Sequence, residues 1–158
     1  MHETIKWLLT IINNEYNGNS FNGPNLVKTI QQLTLEQVVS TDNFEGYSVW
    51  GIVLHLMKWK YELAKALGNT DLEPFPYDGD NFPLLPDVRT PEAWDNTLRH
   101  MDRLHAAFVD ALAVFDPTKL DEAMVWGCTY GEAIAWMTTH DAYHTAQIRN
   151  MGLEIHFP

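Results

Sequence analysis

Cysteine is nearly absent from this chain of 158 residues, which contains only Cys128. A single thiol excludes an internal disulfide and a zinc site built from several cysteines. Long apolar runs are also absent, since no stretch approaches the roughly 20 residues that a membrane-crossing helix needs. The first residues are acidic, whereas a signal peptide would begin with basic ones. We therefore expect a cytoplasmic protein with no membrane partner.

Basic side chains are scarce as well. Ten Lys and Arg stand against 21 Asp and Glu, for a formal net charge of −11 at pH 7. A surface that binds nucleic acid neutralises phosphates with clustered Lys and Arg, and no such cluster occurs here. The same acidic excess disfavours an anionic membrane surface. Nucleic acids and membranes are therefore excluded as expected partners.

What the chain does contain is ample apolar material for one globular core. Hydrophobic residues make up 46% of it and aromatic residues 12%. This composition is typical of folded proteins, and the length corresponds to one ordinary domain. We expect a single domain over residues 1–158.

Four long segments carry helical spacing and helix-end signals, at residues 3–16, 48–67, 90–115 and 129–151. Ser48, Thr90 and Thr129 stand where helix caps are needed, and Glu132 completes a capping box with Thr129. Pro24 is expected to open a short helix, and one further helical turn is expected at Thr34. Four long helices in one domain predict an all-α four-helix bundle. The pattern alone leaves up-down-up-down and up-down-down-up orders open.

Residues 69–90 are different in kind, with four prolines and three aromatic residues in 22 positions. Structureless loops of this length are uncommon inside compact domains and are often functional. We interpret the segment as a lid or wall folded over the bundle. The tail after Gly152 carries Ile155 and Phe157, which are expected to dock on the bundle.

The last helix carries two histidines one turn apart, His140 and His144. They share one helical face, expected to point inward, with four other side chains: Trp136, Tyr143, Gln147 and Met151. Imidazoles at i and i+4 can bind one metal ion. His55, which lies between Leu54 and Leu56 in the second long helix, is the natural third ligand.

Two other interpretations of these histidines compete with the metal site. The chain contains seven histidines, so a pair at this spacing also arises by chance, and buried histidines are often hydrogen-bonded core residues. A zincin peptidase needs Glu directly after the first histidine, whereas this chain has Asp141. The peptidase interpretation is therefore rejected, and the packing interpretation stays open.

Four stretches resemble one family, and the likeness runs over nearly the whole chain. They are Asn22-Gly23-Pro24-Asn25-Leu26, Ser48-Val49-Trp50-Gly51-Ile52-Val53-Leu54-His55-Leu56, Asp80-Asn81-Phe82-Pro83 and His140-x-x-x-His144-x-Ala146-Gln147-Ile148. The chain resembles the DinB/YfiT-like superfamily, whose members are four-helix bundles with up-down-down-up topology. The resemblance implies that His55, His140 and His144 bind a divalent metal. It also implies a homodimer. Ala146 departs from the Gly of many members.

A metal held by three neutral imidazoles keeps an open coordination position, as catalytic sites do. Zn²⁺, Ni²⁺, Fe²⁺, Co²⁺ and Mn²⁺ all accept nitrogen ligands. Such a metal activates bound water for hydrolysis or deprotonates a bound thiol. The resemblance implies both, since the family includes metal-dependent hydrolases and transferases of low-molecular-weight thiols. We expect acid to release the metal below about pH 6, near the ordinary pKa of histidine.

Candidate residues around the metal follow from their spacing to the histidines. Glu62 is the candidate catalytic base, with a solvated surface carboxylate as its alternative. Trp59, Trp136 and Tyr143, together with Gln147, are expected to form the pocket. With so few acid–base groups, thiol transfer is slightly favoured over hydrolysis. A non-catalytic metal-binding or dimerisation and assembly module is the alternative, and it would have a sealed site rather than an open cavity.

Overall fold

The computed structural model of the chain describes residues 2–155, and nearly all its regular structure is helical. The helices are α1 (Glu3–Tyr16), α2 (Leu26–Ile30), α3 (Leu35–Val39), α4 (Val49–Ala66), α5 (Pro91–Val114) and α6 (Tyr130–Arg149), with a 3₁₀-helix at Pro117–Lys119. Within residues 2–155 the only β-type pairing is an isolated bridge between Ala123 and Thr129. None of the helices in this range is long and apolar enough to cross a membrane. The predicted all-α class is confirmed.

The ends of the long helices follow the predicted capping residues. The side chains of Ser48, Thr90 and Thr129 each accept a hydrogen bond from a backbone N–H in the first turn. Helix α6 ends two residues before the predicted Met151, with Gly152 beyond it in the left-handed region at φ 83°. Pro24 does not open α2, because Asn25 accepts the capping hydrogen bond and the helix begins after it.

Each of the four long helices packs against two of the others. Helix α4 contacts α5 and α6, and α1 contacts the same two helices. The start of α4 meets the start of α5, where Trp50 Nε1 donates to Thr97 Oγ1 at 3.1 Å. Helix α4 is the most enclosed element, and twelve of its eighteen residues are buried. It therefore positions whatever polar side chains it carries inside the protein.

The loop at residues 69–90 packs against the core around Trp50. Phe75, Tyr77 and Leu85 are partly buried there, and the Tyr77 hydroxyl lies 3.1 Å from Thr97 Oγ1. Ile155 of the tail packs against the same core. Phe157, expected to dock beside it, lies outside the described residues.

The prediction that one face of α6 points inward is wrong for two of its side chains. Trp136 and Tyr143 are 56% and 64% exposed, whereas His144 and Met151 are buried. The buried side of the helix is instead formed by Ala133, Ile134, Met137, Asp141, His144, Thr145 and Ile148. Because α6 packs against both α1 and α4, its buried stripe is turned away from Tyr143.

A buried polar cluster joins all four long helices. Lys60 Nζ of α4 lies 2.7 Å from Asp141 Oδ2 of α6 and 3.3 Å from His105 Nδ1 of α5, and His105 Nε2 lies 3.0 Å from Asn13 Oδ1 of α1. Burial lowers the pKa of Lys60 and raises the pKa of Asp141, while their mutual attraction opposes both shifts. Each partner therefore depends on the other for its place in the core.

Removing one partner of this pair should destabilise the protein strongly, because the other would stay buried without compensation. We expect Lys60→Met to lower the free energy of unfolding by roughly 3 kcal/mol in urea titrations. The matched control is Lys65→Met on the same helix, whose half-exposed ammonium lies 3.9 Å from Glu62. Lys65→Met should lower the free energy of unfolding by less than about 1 kcal/mol. Equal losses in the two variants would contradict this account.

Candidate metal centre

Helices α4 and α6 bring His55, His140 and His144 together. Each histidine contributes one ring nitrogen to the cluster, and these three nitrogens all lie within 4.8 Å of one another. The Nε2 atoms of His55 and His140 are 2.9 Å apart. His55 and His144 are buried, and His140 is half-buried. The predicted helical spacing of His140 and His144 places both imidazoles opposite the single turn of α4 that carries His55.

Hydrogen bonds orient the two buried imidazoles. His55 Nδ1 lies 2.6 Å from the backbone oxygen of Asn81, and His144 Nδ1 lies 2.7 Å from Gln147 Oε1. Gln147 is oriented in turn, since its Nε2 donates to Glu45 Oε2 at 3.0 Å. Both acceptors are oxygens, so each Nδ1 must carry the proton. The Nε2 atoms of His55 and His144 are thereby unprotonated, which is the state that binds a metal, and His55 Nε2 faces His140 Nε2 at 2.9 Å.

The loop at residues 69–90 forms one wall of this cluster through Asn81 and Phe82. The Phe82 ring stacks on the His55 ring with centroids 4.4 Å apart. Asn81 also accepts a hydrogen bond from Trp59 Nε1 at its side-chain oxygen, at 2.9 Å. A single loop residue therefore holds both a candidate ligand and a neighbouring tryptophan.

One cavity adjoins the histidine cluster, and a second shares Trp59 and Trp126 with it. The first, of about 340 Å³, is lined by Trp59, Trp126, Ala133, Trp136, Met137 and His140. The second, of about 410 Å³, is lined by Lys58, Trp59, Glu62, Asp80, Asn81 and Trp126. Because His140 lines the first cavity, a small molecule there would lie next to one of the three imidazoles. The first cavity falls in the size range of small-molecule sites.

The other predicted site residues lie in different places. Trp59 and Trp136 line the first cavity. Glu62 lines the second and pairs with Lys58 at 2.9 Å. Tyr143 lines neither, since it is exposed with its ring edge-on to His144 at 4.9 Å. Gln147 contacts His144 rather than a cavity.

Sequence reasoning missed three contributors. Asn81 acts partly through a backbone oxygen, which no residue type signals. Glu45 lies in a polar loop and reaches the cluster only through Gln147. Trp126 lies between the predicted helices at residues 90–115 and 129–151, yet it lines both cavities. Its large apolar ring in a loop was the signal that could have identified it.

Comparison with known families agrees with this geometry. The model of the DinB superfamily matches residues 22–148, which include all three histidines and the loop at residues 69–90. The chain belongs to the DinB superfamily. Neither a curated protein nor a solved structure matches it.

The DinB superfamily is generally associated with metal ions, and the residues of this member fit one. The cluster offers three imidazole nitrogens, the donor type that Zn²⁺ and the neighbouring divalent metals accept. Among residues 2–155, buried His140 Nδ1 has no hydrogen-bond partner, so the cluster is not a fully satisfied core network. The three histidines of this DinB chain could therefore hold a metal ion, whose identity is unknown.

Burial keeps the imidazoles of this DinB chain neutral. Desolvation lowers the pKa of His55, of His144 and, to about 3, of His140, where the neighbouring histidines add to the effect. Neutral imidazole is the form that binds metal. Because protons compete less with a metal at imidazoles whose pKa is lowered, we expect acid to release the metal at a lower pH than the value of about 6 expected from the sequence.

The lowered pKa of His140 also makes the stability of the metal-free protein depend on pH. Below pH 6.5 the imidazole of His140 is protonated in the unfolded chain but stays neutral in the folded one. The free energy of unfolding is therefore greatest above that pH and falls below it. Each such histidine contributes at most about 1.4 kcal/mol per pH unit, and half-buried His140 contributes less. In urea titrations between pH 7 and 5, we expect the free energy of unfolding to fall less steeply for His140→Asn than for the unmodified protein. An unchanged slope in His140→Asn would contradict the assignment.

Proposed function

We propose that this DinB protein is a metal-dependent enzyme that acts on small molecules, with His55, His140 and His144 as metal ligands. One observation carries the proposal: His140 belongs to the three-histidine cluster and also lines a cavity of about 340 Å³. A site with a structural or assembly role has no need of such a cavity. The alternative of a non-catalytic metal-binding or dimerisation module is therefore the weaker one.

A bound divalent metal would supply a Lewis acid that lowers the pKa of water or of a thiol. The residues of the chain have separate roles around it. Asn81 and Gln147 orient the imidazoles by accepting their Nδ1 protons. Trp59 and Trp136 form apolar walls of the cavity beside His140. Glu45 keeps the Gln147 amide in the accepting orientation.

Among possible reactions, the arrangement favours transfer of a low-molecular-weight thiol. Hydrolysis needs a free base near the histidines, but Asp141 is buried against Lys60 at 2.7 Å and Glu62 is paired with Lys58 at 2.9 Å. Thiol transfer asks less of the protein: sulfur forms a bond to an electrophilic carbon, the leaving group departs with its electron pair, and the thiol proton passes to water. Hydrolysis is the second candidate, because Glu62 faces the adjoining cavity.

The proposal extends to architecture and assembly. We infer a single-domain four-helix bundle of up-down-down-up topology. It is supported by the meeting of the starts of α4 and α5, at Trp50 and Thr97. Helices α1 and α5 run in opposite directions, since Asn13 contacts His105 whereas the later Tyr16 contacts the earlier Asp102. A homodimer and a cytoplasmic location stay predictions.

Adding a small thiol to the cobalt-loaded protein tests the reaction class. We expect 2-mercaptoethanol to produce a sulfur-to-cobalt charge-transfer band, because an open nitrogen-ligated site admits one thiolate. Ethylene glycol, its oxygen analogue, is the control and should produce none. Absence of the band with metal-dependent turnover of esters would favour hydrolysis. Absence of both would favour the non-catalytic alternative.

A further inference from the structure

Three tryptophans surround the cavity beside His140, and two of them also line the second cavity. The rings of Trp59 and Trp126 meet edge to face, with centroids 5.2 Å apart and an angle of 88° between their planes. Ala133, Trp136 and Met137 complete the apolar lining, and among residues 2–155 His140 is the only polar residue in it. The two cavities therefore adjoin at the Trp59–Trp126 pair, one mainly apolar and the other lined by charged residues.

We propose that this first cavity is a subsite for a small planar aromatic group that is neutral or positively charged. A volume of about 340 Å³ suits one or two rings at the lower end of the range for small-molecule sites. Indole surfaces attract other rings by offset or edge-to-face contacts, and they attract cations through the negative face of the ring.

The charges of the second cavity set the preferred sign of the ligand. In the part of the chain that the structure describes, Glu62 and Asp80 face it together with one cation, Lys58. The Lys58 ammonium is already paired with Glu62 at 2.9 Å, and within residues 2–155 no ion pair forms to Asp80. Counting only its lining residues, the cavity carries a net negative charge, which disfavours an anionic ligand; Lys65, 3.9 Å from Glu62, lies outside this lining.

The walls of the subsite are largely preformed. Trp59 is held by the hydrogen bond from its Nε1 to Asn81 at 2.9 Å. Trp126 lies in a turn closed by a hydrogen bond of 2.8 Å from Met124 N to the Cys128 oxygen. Trp136 is 56% exposed, so a bound ring would remove its apolar surface from water. Preformed walls reduce the ordering cost of binding.

The subsite rests on the proposed function for one point only, namely that the ring belongs to a substrate reacting near His140. Binding itself needs no metal, so the two ideas can fail separately. In thiol transfer, the aromatic group would be the part of the electrophile that the protein recognises.

Three probes with one aromatic ring each test the subsite: phenyltrimethylammonium, benzyl alcohol and benzoate, with cyclohexanol as the non-aromatic control. Binding is measured by ligand-observed nuclear magnetic resonance and calorimetry on metal-free protein, where no ion can bind the benzoate carboxylate, and repeated with metal-loaded protein. We expect the cation and the alcohol to bind, and benzoate and cyclohexanol to bind about tenfold more weakly or not at all.

Trp136→Ala and Trp126→Ala should each weaken binding of the aromatic cation by about tenfold. The matched control is Trp7→Ala, since Trp7 is 69% exposed on α1 and lines neither cavity. Because Trp136 is itself exposed, its truncation should not unfold the protein, and Trp136→Phe should retain much of the affinity.

The possible outcomes separate the two proposals. If the protein takes up no metal but binds aromatic probes in a Trp136-dependent way, the subsite is supported and the proposed metal-dependent function is contradicted. Uptake of metal without probe binding at millimolar concentration, or unchanged binding in Trp136→Ala, would overturn the subsite. Benzoate binding as tightly as the cation to metal-free protein would overturn its charge preference.

Discussion

The contact between α4 and α6 is the constraint on which the rest of the molecule depends. Two sets of polar side chains are removed from water along it, the three histidines and the Lys60–Asp141 pair. Burying such groups is costly unless each finds a partner. Helix α4 can carry them only because the surrounding elements supply those partners. The same burial keeps the imidazoles neutral and available to a metal.

The partners come from segments that would otherwise be simple connections. The loop at residues 69–90 places the Asn81 oxygen on His55, and the loop before α4 places Glu45 on Gln147, which accepts from His144. Trp126, from the turn before α6, completes the cavity beside His140. The four long helices therefore set where the histidines lie, and the connections set their tautomers and their access to small molecules.

Much of the fold could be predicted from the sequence because its signals are local. Capping residues and helical spacing located the long helices to within about two residues. The spacing of His140 and His144, with the resemblance around His55, identified the cluster. Lys60 was missed because a lysine is normally solvated, and only the distant Asp141 makes its burial possible. Tyr143 was misplaced because it directly precedes His144, and adjacent helical residues point about 100° apart.

The central claim, that three histidines of α4 and α6 bind one metal ion, is tested most directly by elemental analysis of purified variants. His55→Ala, His140→Ala and His144→Ala should each lose most of the metal found in the unmodified protein, because each removes one of three nitrogen ligands. The matched control is His100→Ala, since His100 is half-buried on α5 but lies outside the cluster. It should keep its metal. Full occupancy in all three cluster variants would contradict the account.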